Sequence, residues 1–130
     1  MKYQLDGIVL RCRNVPQLAH FYDNVMRLER FVPEPPQPVT TVARYRCTGG
    51  VVFELLSAGP ELGVPRDRQE IPTSPMFRVD DLGEAIRELT AAGVRWVTAR
   101  QRMMGAPAEI ASFLDPEGHH ILIFEMKQDT

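Results

Sequence analysis

At 130 residues, the chain has room for one compact domain or two small halves sharing a core. Its composition, 44% hydrophobic and 25% charged, is that of an ordinary globular protein. A net charge of −2 offers no basic excess for nucleic acid or an anionic membrane, and no apolar run nears the roughly 18 residues of a membrane span.

The opening "MKYQLDGIVLRCRN" holds Asp6 in a short apolar stretch with an arginine close behind, which does not read as a signal peptide. Cys12 and Cys47 are far apart and neither belongs to a CxxC, so reduced thiols and a cytoplasmic location are expected. "LDGIVLRC" (5–12) reads as a strand. Asn14 caps a helix with Pro16 in its first turn, and Leu18, Phe21, Tyr22, Val25 and Leu28 repeat at helical spacing as its buried face. "RFV" continues as a short strand, and "PEPPQP" (33–38) interrupts regular structure. "VTTVARYRC" and "VVFELLS" flank Gly49-Gly50 as a hairpin.

Residues 58–75, rich in Pro, Gly and charge, read as a linker between a first module (1–57) and a second (76–130) of one domain. "MFRVD" (76–80) is a strand, and Asp80 or Asp81 caps "LGEAIRELTAAG", which stops at Gly93 in a left-handed turn. "VRWVTA" is a strand, "RQRMMGAPA" a loop, and "EIASFLD" with "HHILIFEM" a closing hairpin across "PEG". Each half therefore reads strand–helix–strand–strand–strand. A single four-stranded sheet with one helix leaves a face uncovered, so two such units are expected to pair as an α+β fold, two βαβββ modules forming a cupped mixed sheet.

"NVPQLAHFYDNVMRLE", "VFELLS", "MFRVDDLGEAIREL" and "FLDPEGHHILIFE" together resemble the vicinal oxygen chelate superfamily of glyoxalases, extradiol dioxygenases and bleomycin-resistance proteins. Asn14 stands where Asp is usual there, and Met26-Arg27 where Leu-Gly is common. The resemblance implies metal ligands at four positions, occupied here by Gly7, Glu54, Ser74 and Leu122. Only Glu54 is a usual ligand for a divalent cation, whereas a catalytic site generally needs about three protein ligands and an open position. The resemblance also implies a homodimer.

Side chains alternate along a strand. If position 122 faces the cavity, so do His120 and Phe124, while His119, Ile121 and Ile123 face away, and the two histidines cannot chelate one ion together. The same parity turns Val9 and Arg11, Val52 and Leu56, and Met76 and Arg78 inward. Arg11 and Arg78 occupy matching places in the two halves, and in glyoxalases an arginine equivalent to Arg11 contacts a substrate carboxylate. Two inward guanidinium groups suit an anionic or hydrogen-bonding ligand; alternatively, Glu54 simply pairs with one of them. Arg44 and Arg46 share a face that the sequence does not identify. Met103 and Met104 offer an adaptable apolar wall or core packing.

Two functions follow. One is a small-molecule binding protein without the usual metal, taking an apolar or aromatic ligand with an anionic or polar group through Arg11, Glu54, Arg78, His120, Met76, Phe124, Met103 and Met104. The other is a lyase, isomerase or dioxygenase with a non-standard metal site, or an acid/base pair, built from Glu54 and His120. The expected partner is a small molecule, with no nucleic acid and no membrane.

Overall fold

In the computed structural model of the protein, residues 4–32, 36, 38, 40–57, 74–103 and 105–127 are described. The chain divides into two compact units, Met1–Val64 and Pro65–Thr130. That division falls inside the stretch read as a linker, of which 58–73 lie outside the described residues.

The first unit runs β1 (Gly7–Cys12), α1 (Val15–Asn24), β2 (Glu29–Phe31), β3 (Val42–Arg46) and β4 (Val52–Ser57). Its sheet has the order β1-β4-β3-β2, with β1 parallel to β4 and the other pairs antiparallel. Asn14 starts α1 by accepting the Gln17 amide at 3.0 Å, and Pro16 lies in the first turn, where a missing N–H removes no bond. Val15, Leu18, Ala19, Phe21 and Tyr22 bury one face of this helix. Beneath them lie Leu10, Cys12, Tyr45, Phe53 and Leu55, with the Tyr22 and Phe53 rings edge to face at 4.9 Å. Burying each large apolar side chain contributes roughly 1.5–3 kcal/mol, so this two-layer packing holds the unit together. The Tyr45 hydroxyl donates to the Ala19 carbonyl at 3.2 Å; burial, then the neighbouring Asp23, pushes its ionisation far up.

The helix is shorter than its periodicity suggests. It ends at Asn24, so Leu28 lies beyond it and is only half-buried. The exit turn carries Arg27 at φ 56°, the single positive value outside glycine among the described residues. Between β3 and β4 the expected two-residue hairpin is a longer turn, Thr48–Gly50, with both glycines left-handed and the Cys47 amide bonded to the Val51 carbonyl at 2.8 Å.

The second unit repeats the plan with β5 (Met76–Arg78), α2 (Leu82–Ala91), β6 (Arg95–Arg102), β7 (Ala108–Leu114) and β8 (His120–Met126), in the order β5-β8-β7-β6. β5 and β8 are parallel, and the other pairs antiparallel. Asp81 is the residue that caps α2, accepting from Glu84 N at 3.0 Å, and the Glu125 carboxylate takes the Leu82 amide at 2.9 Å. Gly93 closes the helix at φ 83°. Leu82 and Leu89 pack with Phe113, Ile121 and Ile123 in the core. One reading is corrected here: β6 extends to Arg102, so "RQR" is strand and not loop. Two register shifts, between Trp96 and Thr98 and between Thr98 and Gln101, break the alternation on this edge strand, and most of it is exposed.

The closing turn is built on Asp115. Its buried carboxylate accepts the amides of Glu117 and His119, at 3.0 and 2.9 Å, and lies 2.8 Å from His119 Nδ1. His119 is thus tied to the turn. The architecture is α+β throughout, two βαβββ units each with a four-stranded mixed sheet.

Candidate functional site

Each sheet has one face under its helix and another turned away from it. In the first unit, Leu10, Cys12, Phe53 and Leu55 lie under α1, which leaves Gly7, Val9 and Arg11 of β1 and Val52, Glu54 and Leu56 of β4 on the other side. Val9 pairs with Glu54, and Arg44 pairs with Glu54 from β3. Register therefore assigns Arg44 and Arg46 to this face. Arg44 Nε donates to Glu54 Oε1 in an ion pair whose carboxylate side chain is 14% exposed. Arg46 places its guanidinium 4.6 Å from the centre of the Phe31 ring. Arg44, a neighbour on the adjacent strand, is a partner of Glu54 that the sequence reading does not single out. Arg11 is exposed on the same face.

In the second unit, Met76 pairs with Leu122, and Arg78 with Phe124. On the other flank of β8, Leu114 pairs with His120, Ser112 with Leu122 and Ile110 with Phe124. Directly opposed residues share a face, so these side chains lie together on the face turned away from α2. Met76 and Arg78 are exposed, while His120, Leu122 and Phe124 are half-buried. His120 Nδ1 lies 3.1 Å from Ser74 Oγ. Met103 is half-buried after β6; Met104 lies outside the described residues. Trp96 is on the opposite face, edge to face with Phe113 at 5.6 Å and donating to Thr90 Oγ1. His20 sits on the surface of α1 with Asn24.

The four positions at which the resemblance implies metal ligands do not fit a cation. At Gly7, a Cβ would lie 2.4 Å from the Val52 carbonyl oxygen, so the backbone of β4 already fills the space a ligand side chain needs. Glu54 is neutralised by Arg44. Ser74 hydrogen-bonds to His120, and Leu122 carries no donor atom. Among the described residues, no three His, Cys, Asp or Glu side chains gather as a metal-binding group.

A second polar region escaped the sequence reading. Glu109 takes Arg100 Nε at 2.7 Å and Lys127 Nζ at 3.2 Å, and Lys127 also pairs with Glu125. The hydrogen bond from Arg100, then that from Lys127, lowers the Glu109 ionisation; Lys127 and then the Leu82 amide lower that of Glu125. Beside this cluster is a surface depression of about 260 Å³ lined by Arg102, Pro107, Ala108, Glu109 and Lys127. Arg102 to Glu109 are close in the sequence, and the β7–β8 register brings Lys127 beside them.

The family model of the Glyoxalase/Bleomycin resistance protein/Dioxygenase superfamily matches residues 4–123. No curated protein matches the chain. Similar solved structures include a lactoylglutathione lyase from Agrobacterium tumefaciens, at 16% identity and TM-score 0.71, covering 96% of this chain and 95% of that one. A glyoxalase/dioxygenase from Nostoc punctiforme has 17% identity and TM-score 0.76, with 96% and 92% covered. TioX from Micromonospora sp. ML1 has 18% identity and TM-score 0.70, with 95% and 97% covered. At such identities the likeness concerns the fold.

Proposed function

Because the chain belongs to the Glyoxalase/Bleomycin resistance protein/Dioxygenase superfamily, we propose that it is a small-molecule binding protein that works without the divalent cation. The observation that carries this reading is the set Gly7, Glu54, Ser74 and Leu122, which offers one carboxylate, already paired with Arg44. The closed space at Gly7 supports it further, because a ligand side chain could not be regained there without moving β4.

The ligand is apolar or aromatic with an anionic or polar group. Arg11 in the first unit and Arg78 in the second are each exposed, and either can supply charge for an anionic group. Met76, Phe124 and Met103 supply apolar contact, and His120 a hydrogen bond. Glu54 orients Arg44 more readily than it binds an ion. The alternative of a lyase, isomerase or dioxygenase using Glu54 and His120 is weakened by that same ion pair, which holds the Glu54 carboxylate on Arg44. Homodimerisation and a cytoplasmic location belong to the proposal; no helix among the described residues is long and apolar enough to cross a membrane.

Elemental analysis of freshly purified protein tests the metal-free reading. Stoichiometric Ni, Zn, Fe or Mn contradicts it. A thermal-shift panel of aromatic acids, phenols and peptides tests the binding reading, and no stabilisation by any of them counts against it.

A further inference from the structure

The depression of about 260 Å³ lined by Arg102, Pro107, Ala108, Glu109 and Lys127 lies toward the helix side of the second sheet. Glu109 is opposite Arg102 across β6 and β7, and opposite Glu125 across β7 and β8. Glu125 in turn accepts the Leu82 amide at the start of α2, which fixes the face these residues share. Lys127 reaches both carboxylates from just past the end of β8. The rim is held by backbone bonds, from the Lys127 amide to the Pro107 carbonyl at 2.6 Å and from the Met103 amide to the Ala108 carbonyl at 2.9 Å.

The charges lining this space do not cancel. Glu109 accepts from Arg100 at 2.7 Å and from Lys127 at 3.2 Å, and Lys127 is shared with Glu125. Behind Arg100, Asp81 and Arg87 gather about Gly83 and offset one another. Arg102 stands in register with Glu109, yet its side chain has no ion pair or hydrogen bond among the described residues. It is exposed on the wall of the depression, and its planar fork of donors matches the two oxygens of a carboxylate. An arginine on an edge strand also deters edge-to-edge pairing of sheets, a role that needs no ligand and that binding measurements separate from the one argued here.

Space and charge together restrict the ligand. The volume exceeds the roughly 150 Å³ of a cavity that admits benzene, so one ring bearing one charged group fits. Pro107 and Ala108 give that ring an apolar floor. A single negative charge balances Arg102, whereas a phosphate monoester carries nearly two and brings the second beside Glu109.

We infer that this depression is a binding site for a small monocarboxylate with an apolar or aromatic body, gripped by Arg102 in a two-point bond with Lys127 adding charge. The site is separate from the sheet face used under Proposed function, which carries Met76, Arg78, His120 and Phe124. Benzoate, benzamide and phenyl phosphate are titrated into the intact, isotope-labelled protein, and amide shifts are followed by two-dimensional NMR. Benzoate is expected to give saturable shifts at Arg102, Ala108, Glu109 and Lys127, with a Kd of about 1 mM, as suits a small fragment held by one exposed ion pair. Benzamide, alike in shape but uncharged, is expected to bind at least about fivefold more weakly, and phenyl phosphate no more tightly than benzoate. Arg102→Gln is expected to weaken benzoate about five- to tenfold and erase its advantage over benzamide. Arg102→Lys keeps the charge without the fork and is expected to lose about two- to threefold. Arg102 is exposed, so both variants should keep the native Tm, which separates lost binding from lost folding. The site is overturned if benzoate at about 20 mM moves none of these four amides, if benzamide matches it, if phenyl phosphate binds more tightly, or if Arg102→Gln leaves the affinity unchanged. Shifts confined to Arg11 or Arg78 and their neighbours would overturn it while supporting the binding reading above.

Discussion

Arg27 is the residue at which a single substitution is expected to strengthen the protein. Its φ of 56° puts an L side chain in the left-handed region, which costs about 1–2 kcal/mol. The turn needs that conformation: the next amide, Leu28 N, returns to the Tyr22 carbonyl at 3.0 Å and seals the end of α1. Arg27→Gly relieves the crowding but loosens the unfolded chain, which returns roughly 0.5–1 kcal/mol. Arg27 is exposed, so little packing is lost. The net gain is about 0.5–1 kcal/mol, or about 2–4 °C in Tm for a domain of this size. Paired thermal scans by circular dichroism read it directly, and urea titration should show a higher midpoint with unchanged slope. An equal or lower Tm would refute the reasoning, showing that the turn is not left-handed in solution or that the arginine makes a contact worth more than the strain.

Gly7→Ala is expected to lose about 1–3 kcal/mol by driving a Cβ into the Val52 carbonyl, and a urea midpoint matching the native protein's would show that β1 and β4 separate freely. The Glu109 and Glu125 carboxyls ionise below their ordinary value of 4.5, so their stabilising contribution is present above that pH and is lost as pH falls through the lowered values. Lys127→Met should therefore lower Tm at pH 7 and lose its effect in acid, once both carboxyls are protonated; a difference that persists in acid would deny the coupling. Arg11→Ala should weaken 2-naphthoate binding about three- to tenfold, as expected for one exposed guanidinium, and unaltered affinity in calorimetry would remove Arg11 from the site.

Much of the fold is legible because local chemistry and global pattern agree. Asn14 and Asp81 announce their helices, Gly93 ends one, and Asp115 makes its turn, each through bonds within four residues. The alternation about Leu122 likewise sorts His120 from His119. What escaped depends on register. Arg44 meets Glu54 through the pairing of β3 with β4, and the glycine turn between those strands is longer than the two residues a hairpin signal suggests. Ser112 was within reach, since counting outward from the Asp115 turn opposes it to Leu122, but a lone serine in an apolar strand gives no signal of its own. The end of β6 was hidden because bulges erase the two-residue period that marks a strand. Leu28 continues the helical spacing after the helix has stopped, since periodicity cannot see the turn at Arg27.

The most direct test is the metal content of the protein after incubation with Ni, Zn, Mn and Fe(II) in turn and removal of loose ions by buffer exchange. Mass spectrometry of the elements should find well under one ion per ten chains, in the native protein and in Glu54→Gln alike. One tightly held ion per native chain, lost on that substitution, would contradict the proposal that this chain binds its ligand without a cation.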